Sequence, residues 1–128
     1  MQHIEDNEQT ILFRWARFQS GKYPELDKMF HIPNGGKRNA REGARFKMMG
    51  VKAGVPDIFL PAARGGYHGL FVEMKADGGR TSKAQDSYIS ALKEQGYCVK
   101  VCFGWEKAAE EILKYLEGEA QGELEQED

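Results

Sequence analysis

The chain has 128 residues and a formal net charge of −2, with 41% hydrophobic and 30% charged residues. These values are ordinary for one soluble globular domain and argue against a membrane-spanning protein. The N-terminus is polar and acidic and shows no secretory signal, so we expect an intracellular protein. Cys98 and Cys102 lie four residues apart on a predicted strand, roughly 13 Å end to end, and are expected to be reduced core residues.

The charge is unevenly distributed along the chain. Residues 117–128 contain six acids and neither lysine nor arginine, so removing them leaves 14 acidic against 18 basic residues and a net charge of +4. This acidic segment has almost no apolar residues and is predicted to be a disordered tail that follows a domain over residues 1–116. We interpret it as a solubilising terminus rather than as a shield for a basic surface.

The first predicted element is an amphipathic helix from Asn7 to about Phe18. Its apolar residues recur at helical spacing: Ile4, Ile11, Leu12, Trp15 and Phe18. Glu8 falls on this stripe, where an uncompensated charge is costly, so a metal or a lysine is expected beside it. The alternative is a first-turn acid that the helix dipole favours.

A short strand over residues 28–32 precedes a strongly basic segment. Residues 37–52 include a predicted helix over residues 37–49 and hold one acid, Glu42, and six basic residues: Lys37, Arg38, Arg41, Arg45, Lys47 and Lys52. Such a cluster favours contact with phosphate groups. The alternative is an exposed cationic face without a partner.

Two strands joined by a glycine-rich hairpin form the centre of the chain. Residues 57–60 and 70–75 are rich in bulky apolar residues and flank the turn at residues 64–69. Side chains on a strand alternate faces, so Glu73 and Lys75 project to one side, roughly 6 to 7 Å apart. Asp57 opens the preceding strand after Pro56, and a twisted hairpin would bring its carboxylate beside Glu73.

Neighbouring carboxylates repel each other unless a positive charge separates them, and oxygen ligands suit Mg²⁺ or Mn²⁺. Lys75 has the wrong charge for a ligand. Its ammonium group could orient or deprotonate a water molecule and stabilise charge on a phosphate. The alternative for Glu73 and Lys75 is a solvated ion pair of little energetic value.

The C-terminal half predicts helix, strand and helix. Ser82 is the expected N-cap of a helix that runs to about Gln95, with Gln85 in its first turn and Gly96 after its end. Residues 97–103 predict a well-buried strand. A last helix over residues 105–116 turns Ala108, Ile112, Tyr115 and Leu116 inward. The order of elements is that of a mixed α/β sheet covered by helices.

Pro56-Asp57 followed by Glu73-Met74-Lys75 resembles the signature of the PD-(D/E)XK nuclease superfamily. The string Gly54-Val55-Pro56-Asp57, with the Ser82-x-x-Gln85 helix start and a glutamate on the first helix, resembles the VRR-NUC family. The resemblance runs from about Glu8 to about Leu116. It implies a restriction-endonuclease-like αβββαβ core, with the basic helix over residues 37–49 as an insertion.

The resemblance also implies a metal-dependent DNA endonuclease of bacterial or viral origin, acting in the cytoplasm on branched, flap or junction DNA as a homodimer. The implied catalytic residues are Asp57, Glu73, Lys75 and Gln85. The implied ligands of Mg²⁺ or Mn²⁺ are Asp57, Glu73, the Met74 backbone carbonyl and Glu8, with Glu5 as the second choice for the helix-one position. Arg64, Arg80 and Lys83 would extend the DNA surface formed by Lys37, Arg38, Arg41, Arg45, Lys47 and Lys52.

Two other functions are compatible with the sequence. One is a Holliday-junction resolvase or restriction-type enzyme of the same superfamily, although no recognition module for site-specific cutting is visible. The other is a nucleic-acid-binding module in which Asp57, Glu73 and Lys75 form only an ion-pair cluster. Dependence of cleavage on a divalent metal distinguishes this second function from a nuclease.

Overall fold

The computed structural model describes residues 2–33 and 40–118. Four helices and four strands follow one another within these ranges. They are α1 (Gln2–Gln19), β1 (Phe30–His31), α2 (Ala40–Met48), β2 (Ile58–Leu60), β3 (Leu70–Lys75), α3 (Lys83–Glu94), β4 (Cys98–Phe103) and α4 (Trp105–Leu116). A 3₁₀ turn, Pro24–Lys28, precedes β1, and β1 itself is shorter than the strand predicted over residues 28–32. Lys37, Arg38 and residues 119–128 of the predicted acidic tail lie outside the described ranges.

The sheet is mixed, with the strand order β1, β2, β3, β4. β1 pairs with β2 and β2 with β3 in antiparallel orientation, whereas β3 and β4 are parallel. The hairpin between β2 and β3 and the αβββαβ order are therefore as predicted, with α2 inserted between β1 and β2. This is a restriction-endonuclease-like α/β fold.

The core lies between one face of the sheet and the helices α1 and α4. Leu70, Val72 and Met74 of β3 point to this side and are fully buried. Helix α4 presents Ile112 and Tyr115 to the same core, and all four of its predicted inward residues are buried. Because side chains alternate along β3, Phe71, Glu73 and Lys75 point to the opposite face.

Two expectations about burial are wrong. Ile4 is 52% exposed and Phe18 is 82% exposed, so only part of the apolar stripe of α1 is buried against the rest of the protein. Strand β4 is buried at Cys98, Val99 and Cys102 only, and Val101 and Phe103 are exposed. The reason is that β4 is an edge strand, a position fixed by sheet order rather than by its own composition. Both cysteines are free and buried, as expected.

Helix α2 has no buried residue, and it makes no close backbone contact with any other described helix or strand. Met48 at its end and the next residue, Met49, are both exposed. No helix in the described ranges is long and apolar enough to cross a membrane.

Candidate active site

The turn before β2 and the centre of β3 bring two carboxylates together. Asp57 directly precedes β2, and its Oδ2 accepts a hydrogen bond of 2.9 Å from the Met74 backbone N–H. Glu73 lies on β3, which pairs with β2 so that Ile58 faces Val72. The antiparallel pairing therefore places the two acids side by side, as the hairpin predicts.

Glu73 is 2% exposed, and its two oxygens have different surroundings. Oε2 accepts a hydrogen bond of 3.0 Å from Gln85 Nε2 and lies 3.4 Å from Lys75 Nζ. Oε1 is buried and has no hydrogen-bond partner within the described ranges. A buried carboxylate oxygen without a partner costs free energy, so Oε1 marks the point at which this site is incomplete.

The two carboxyl groups shift each other's protonation. Burial and the nearby charge of Asp57 together raise the pKa of Glu73 to about 8, against the opposing effect of Lys75. Burial also raises the pKa of Asp57, against the opposing effects of the Met74 N–H, His31 and Lys75. Near neutral pH, the free carboxyl pair therefore tends to retain a proton on Glu73.

Gln85 reaches Glu73 because a capping box fixes the start of α3. The Gln85 N–H donates to Ser82 Oγ (3.1 Å), and the Ser82 N–H donates to Gln85 Oε1 (2.8 Å). The Gln85 side chain therefore accepts from the cap with its oxygen and donates to Glu73 with its nitrogen. Gly54 allows this approach. A Cβ there would lie 2.4 Å from the Ala84 carbonyl oxygen, and its φ of +90° suits glycine.

Glu8 makes a contact that the sequence did not predict. Its Oε1 accepts a hydrogen bond of 3.1 Å from the Trp105 N–H at the start of α4, where Gly104 offers no side-chain cap. Glu8 thereby satisfies a free donor and the positive end of the helix dipole. It also lines a cavity of about 380 Å³ together with Lys75 and Asp77.

Within the described ranges, no three His, Cys, Asp or Glu side chains are close enough to hold a metal together. Glu8 therefore does not join Asp57 and Glu73 in one cluster. The side chain of Glu5, the second choice, lies outside the described part of the chain.

Asp57 and Glu73 nevertheless fit a divalent cation. Mg²⁺ is commonly bound through one or two carboxylates together with water and substrate phosphates, so a third protein carboxylate is not required. The unpartnered Glu73 Oε1 is an oxygen donor of the right type. Burial raises the pKa of both acids, and ionising the pair is therefore unfavourable unless a cation offsets its charge.

His31 is a neighbour of the site that the sequence did not reveal. Its Nδ1 lies 2.9 Å from the carbonyl oxygen of Asp57, and its charge lowers the pKa of the Asp57 carboxyl group. The two residues are 26 positions apart and meet only because β1 pairs with β2. The strand predicted over residues 28–32 was the available signal, but its pairing partner was unknown.

The predicted basic residues fall into two groups. Arg64 pairs with Glu25 and donates to the carbonyl of Leu116 (3.2 Å), so it joins parts of the fold. We therefore leave Arg64 out of the DNA surface. The other predicted basic residues in the described ranges are exposed: Arg41, Arg45, Lys47, Lys52, Arg80 and Lys83.

A mixed sheet with paired acids, a lysine on the same strand and a supporting glutamine is the architecture of a restriction-endonuclease-like nuclease domain. The model of the VRR-NUC domain family matches residues 5–106. A solved structure described as a VRR-NUC domain protein shares 39% sequence identity, covers 89% of this chain and 88% of its own, and superposes with a TM-score of 0.77. No curated protein sequence matches. The chain belongs to the VRR-NUC family of nucleases.

Proposed function

We propose that this protein is a divalent-metal-dependent DNA endonuclease that hydrolyses phosphodiester bonds in branched, flap or junction DNA. The observation that carries the proposal is the half-buried Asp57 beside the buried Glu73, with the unpartnered Glu73 Oε1 and with Lys75 Nζ 3.4 Å from Glu73. A structural ion pair between Glu73 and Lys75 gives no reason to place a second, half-buried carboxylate beside Glu73. Such an arrangement is unfavourable without a ligand and is typical of a functional site.

Asp57, Glu73 and the Met74 carbonyl are the residues that would hold Mg²⁺ or Mn²⁺. When bound, the cation supplies electrostatic stabilisation for charge that develops on the phosphate. The Met74 N–H fixes the orientation of Asp57, and Gln85 fixes that of Glu73. Glu8 would act indirectly, because it binds the start of α4 and lines the same cavity as Lys75.

Lys75 would act on the water molecule that attacks phosphorus. Its side chain is mostly buried, its ammonium group lies beside Glu73, and it also lines the cavity of about 380 Å³. From this position the ammonium group can hold water for in-line attack by donating a hydrogen bond to it, and can stabilise the charge that develops on the phosphate.

The remaining parts of the proposal concern partners. The exposed basic residues of α2 and of the start of α3 would contact DNA phosphates. We also propose a homodimer acting in the cytoplasm, because cutting both strands of branched DNA commonly needs two active sites and a C₂ pair places them in antiparallel relation. Light scattering at micromolar concentration should give about twice the mass of the 14.5 kDa chain. The mass of one chain would refute the dimer.

The decisive experiment measures cleavage of labelled linear, flap, splayed and four-way DNAs with Mn²⁺, with Mg²⁺ and in chelator. Asp57→Asn and Glu73→Gln should abolish cleavage and leave DNA affinity near that of the wild type. Glu111→Gln is the matched control, since Glu111 is also buried but lies within 4 Å of Lys100, Lys107 and Lys114.

Cleavage that persists in chelator, or in Glu73→Gln, would refute the metal mechanism. DNA binding without cleavage of any substrate under any metal condition would favour the non-catalytic binding module. A preference for one branched structure over linear duplex would identify the substrate within the proposed class.

A further inference from the structure

The outer face of α1 carries an aromatic and cationic patch that the candidate active site does not use. Phe18 is 82% exposed, and Arg14 and Arg17 are also exposed. Residues four apart lie on the same side of a helix, so Arg14 and Phe18 are neighbours. The three side chains line a shallow concavity of about 360 Å³.

Neither arginine has a counter-ion within residues 2–33 and 40–118. The contrast is with the lysines on β4 and α4: Lys100, Lys107 and Lys114 each lie within 4 Å of a glutamate on α4. The charge on that side of the molecule is thus offset internally, whereas the two guanidinium groups of α1 remain available to an external anion.

A structural role explains only part of the patch. Arg17 lies in the last turn of α1, where a positive charge stabilises the negative end of the helix dipole. That effect accounts neither for Arg14, one turn earlier, nor for the exposed phenylalanine beside the two arginines. An exposed aromatic ring flanked by arginines is instead typical of surfaces that bind single-stranded nucleic acid.

Helix α1 also connects the patch to the candidate active site. Glu8, on the same helix, lines a cavity with Lys75. At 1.5 Å per residue, Arg14 and Phe18 lie about 9 and 15 Å further along the helix axis. These are distances along the axis, and the patch lies on a different side of α1 from Glu8.

We infer that Arg14, Arg17 and Phe18 bind an unpaired strand of the DNA substrate, with the guanidinium groups on phosphates and the Phe18 ring stacked on a base. The inference rests on the proposed nuclease function and adds a second contact region to it. A second copy of this chain is the competing occupant, because Phe18 is apolar. The two positive charges beside the ring favour a polyanion, since two copies of the same patch would repel each other.

The test measures binding in chelator, where no cleavage occurs, using a fluorescein-labelled single-stranded oligonucleotide and a blunt duplex of the same sequence. Phe18→Ala and Phe18→Leu should both weaken single-strand binding about fivefold or more, because stacking on the ring is lost, and should leave the salt dependence unchanged. Duplex binding should change less than twofold. Arg14→Ala with Arg17→Ala should reduce the log–log salt slope by about 0.7 for each lost contact.

Lys107→Ala is the matched control, since it removes one exposed positive charge that already has glutamate partners, and it should alter neither affinity nor slope. A photoreactive halogenated uracil in the strand should crosslink to the wild type and not to Phe18→Ala. Unchanged single-strand affinity in the Phe18 variants would overturn the inference, and so would a change in light-scattering mass without a change in affinity. Failure of cleavage alone would count against the proposed function and not against this site.

Discussion

Replacing Glu73 by glutamine should stabilise the metal-free protein at alkaline pH, although it removes a proposed catalytic group. Burial and the neighbouring charge of Asp57 raise the pKa of Glu73 from 4.5 to about 8. Between these values the folded protein holds a proton that the unfolded chain has released. The unfolded state therefore binds fewer protons, and stability must fall as pH rises through this window.

The magnitude follows from the size of the shift. The difference between 8 and 4.5 is 3.5 pH units, and each unit corresponds to about 1.36 kcal/mol, so the loss is at most about 5 kcal/mol. Glutamine is neutral at every pH and has nearly the same shape as glutamate. Its amide can still accept from Gln85 and can donate to Asp57, which removes both the repulsion and the unpartnered oxygen.

Thermal or denaturant unfolding in chelator between pH 5 and pH 9 measures the effect. Wild type should lose stability from about pH 5 to about pH 8, and Glu73→Gln should show a flatter profile and a higher melting temperature at pH 8.5. Glu111→Gln should lower stability instead, since it removes a buried acid with lysine partners. A wild-type stability that stays level or rises over this range, with Glu73→Gln less stable at pH 8.5, would refute the reasoning.

Three further predictions concern residues that hold the candidate active site in place or that would contact DNA. Gln85→Ala should cost about 1 kcal/mol through the lost capping box and also lower cleavage, whereas Ser82→Ala should cost a similar amount and leave most of the activity. Gly54→Ala should destabilise the folded protein by roughly 2 kcal/mol or more and lower cleavage, because the added Cβ meets the backbone of α3. Gly50→Ala is the control, since Gly50 also has a positive φ but an added Cβ there meets nothing within 4 Å. Alanine at exposed basic residues of α2 should reduce the log–log salt slope of duplex binding by about 0.9 for each lost phosphate contact, as measured by titration at several salt concentrations. The residues to replace are Arg41, Arg45 and Lys47.

Local rules were sufficient for the centre of the molecule. Alternation along a strand placed Glu73 and Lys75 on one face, and Lys75 Nζ lies 3.4 Å from Glu73 Oε2. The Ser82-x-x-Gln85 spacing predicted the start of α3, and the capping box is present. These features depend on residues within a few positions of each other, so the sequence contains most of the information needed to predict them.

Features that depend on tertiary packing were harder to predict. The burial of β4 was overestimated because its composition cannot show that it lies at the sheet edge. The stripe of α1 was taken as a buried face, but Leu12 and Ala16 are buried whereas Ile4 and Phe18 are exposed. Likewise, Glu8 meets the start of α4 across 97 positions, a contact that no local pattern predicts.

Lys75 has two effects in this site, and they can be separated experimentally. In the metal-free protein its charge lowers the pKa of Glu73, so Lys75→Ala should raise that pKa further. A proton on Glu73 competes with a cation, and lysine is not itself a ligand. Lys75→Ala should therefore still bind Mn²⁺, with weaker affinity than wild type at pH 7 and nearly equal affinity at pH 9.

Turnover should behave differently from binding. If Lys75 positions the attacking water, Lys75→Ala should lose most of its cleavage at both pH values, even when Mn²⁺ saturates the site. Calorimetry of Mn²⁺ binding and single-turnover cleavage on the same samples distinguish the two effects. Cleavage restored to wild-type rates at pH 9 would show that Lys75 acts only by keeping Glu73 ionised, and its role in positioning water would be wrong.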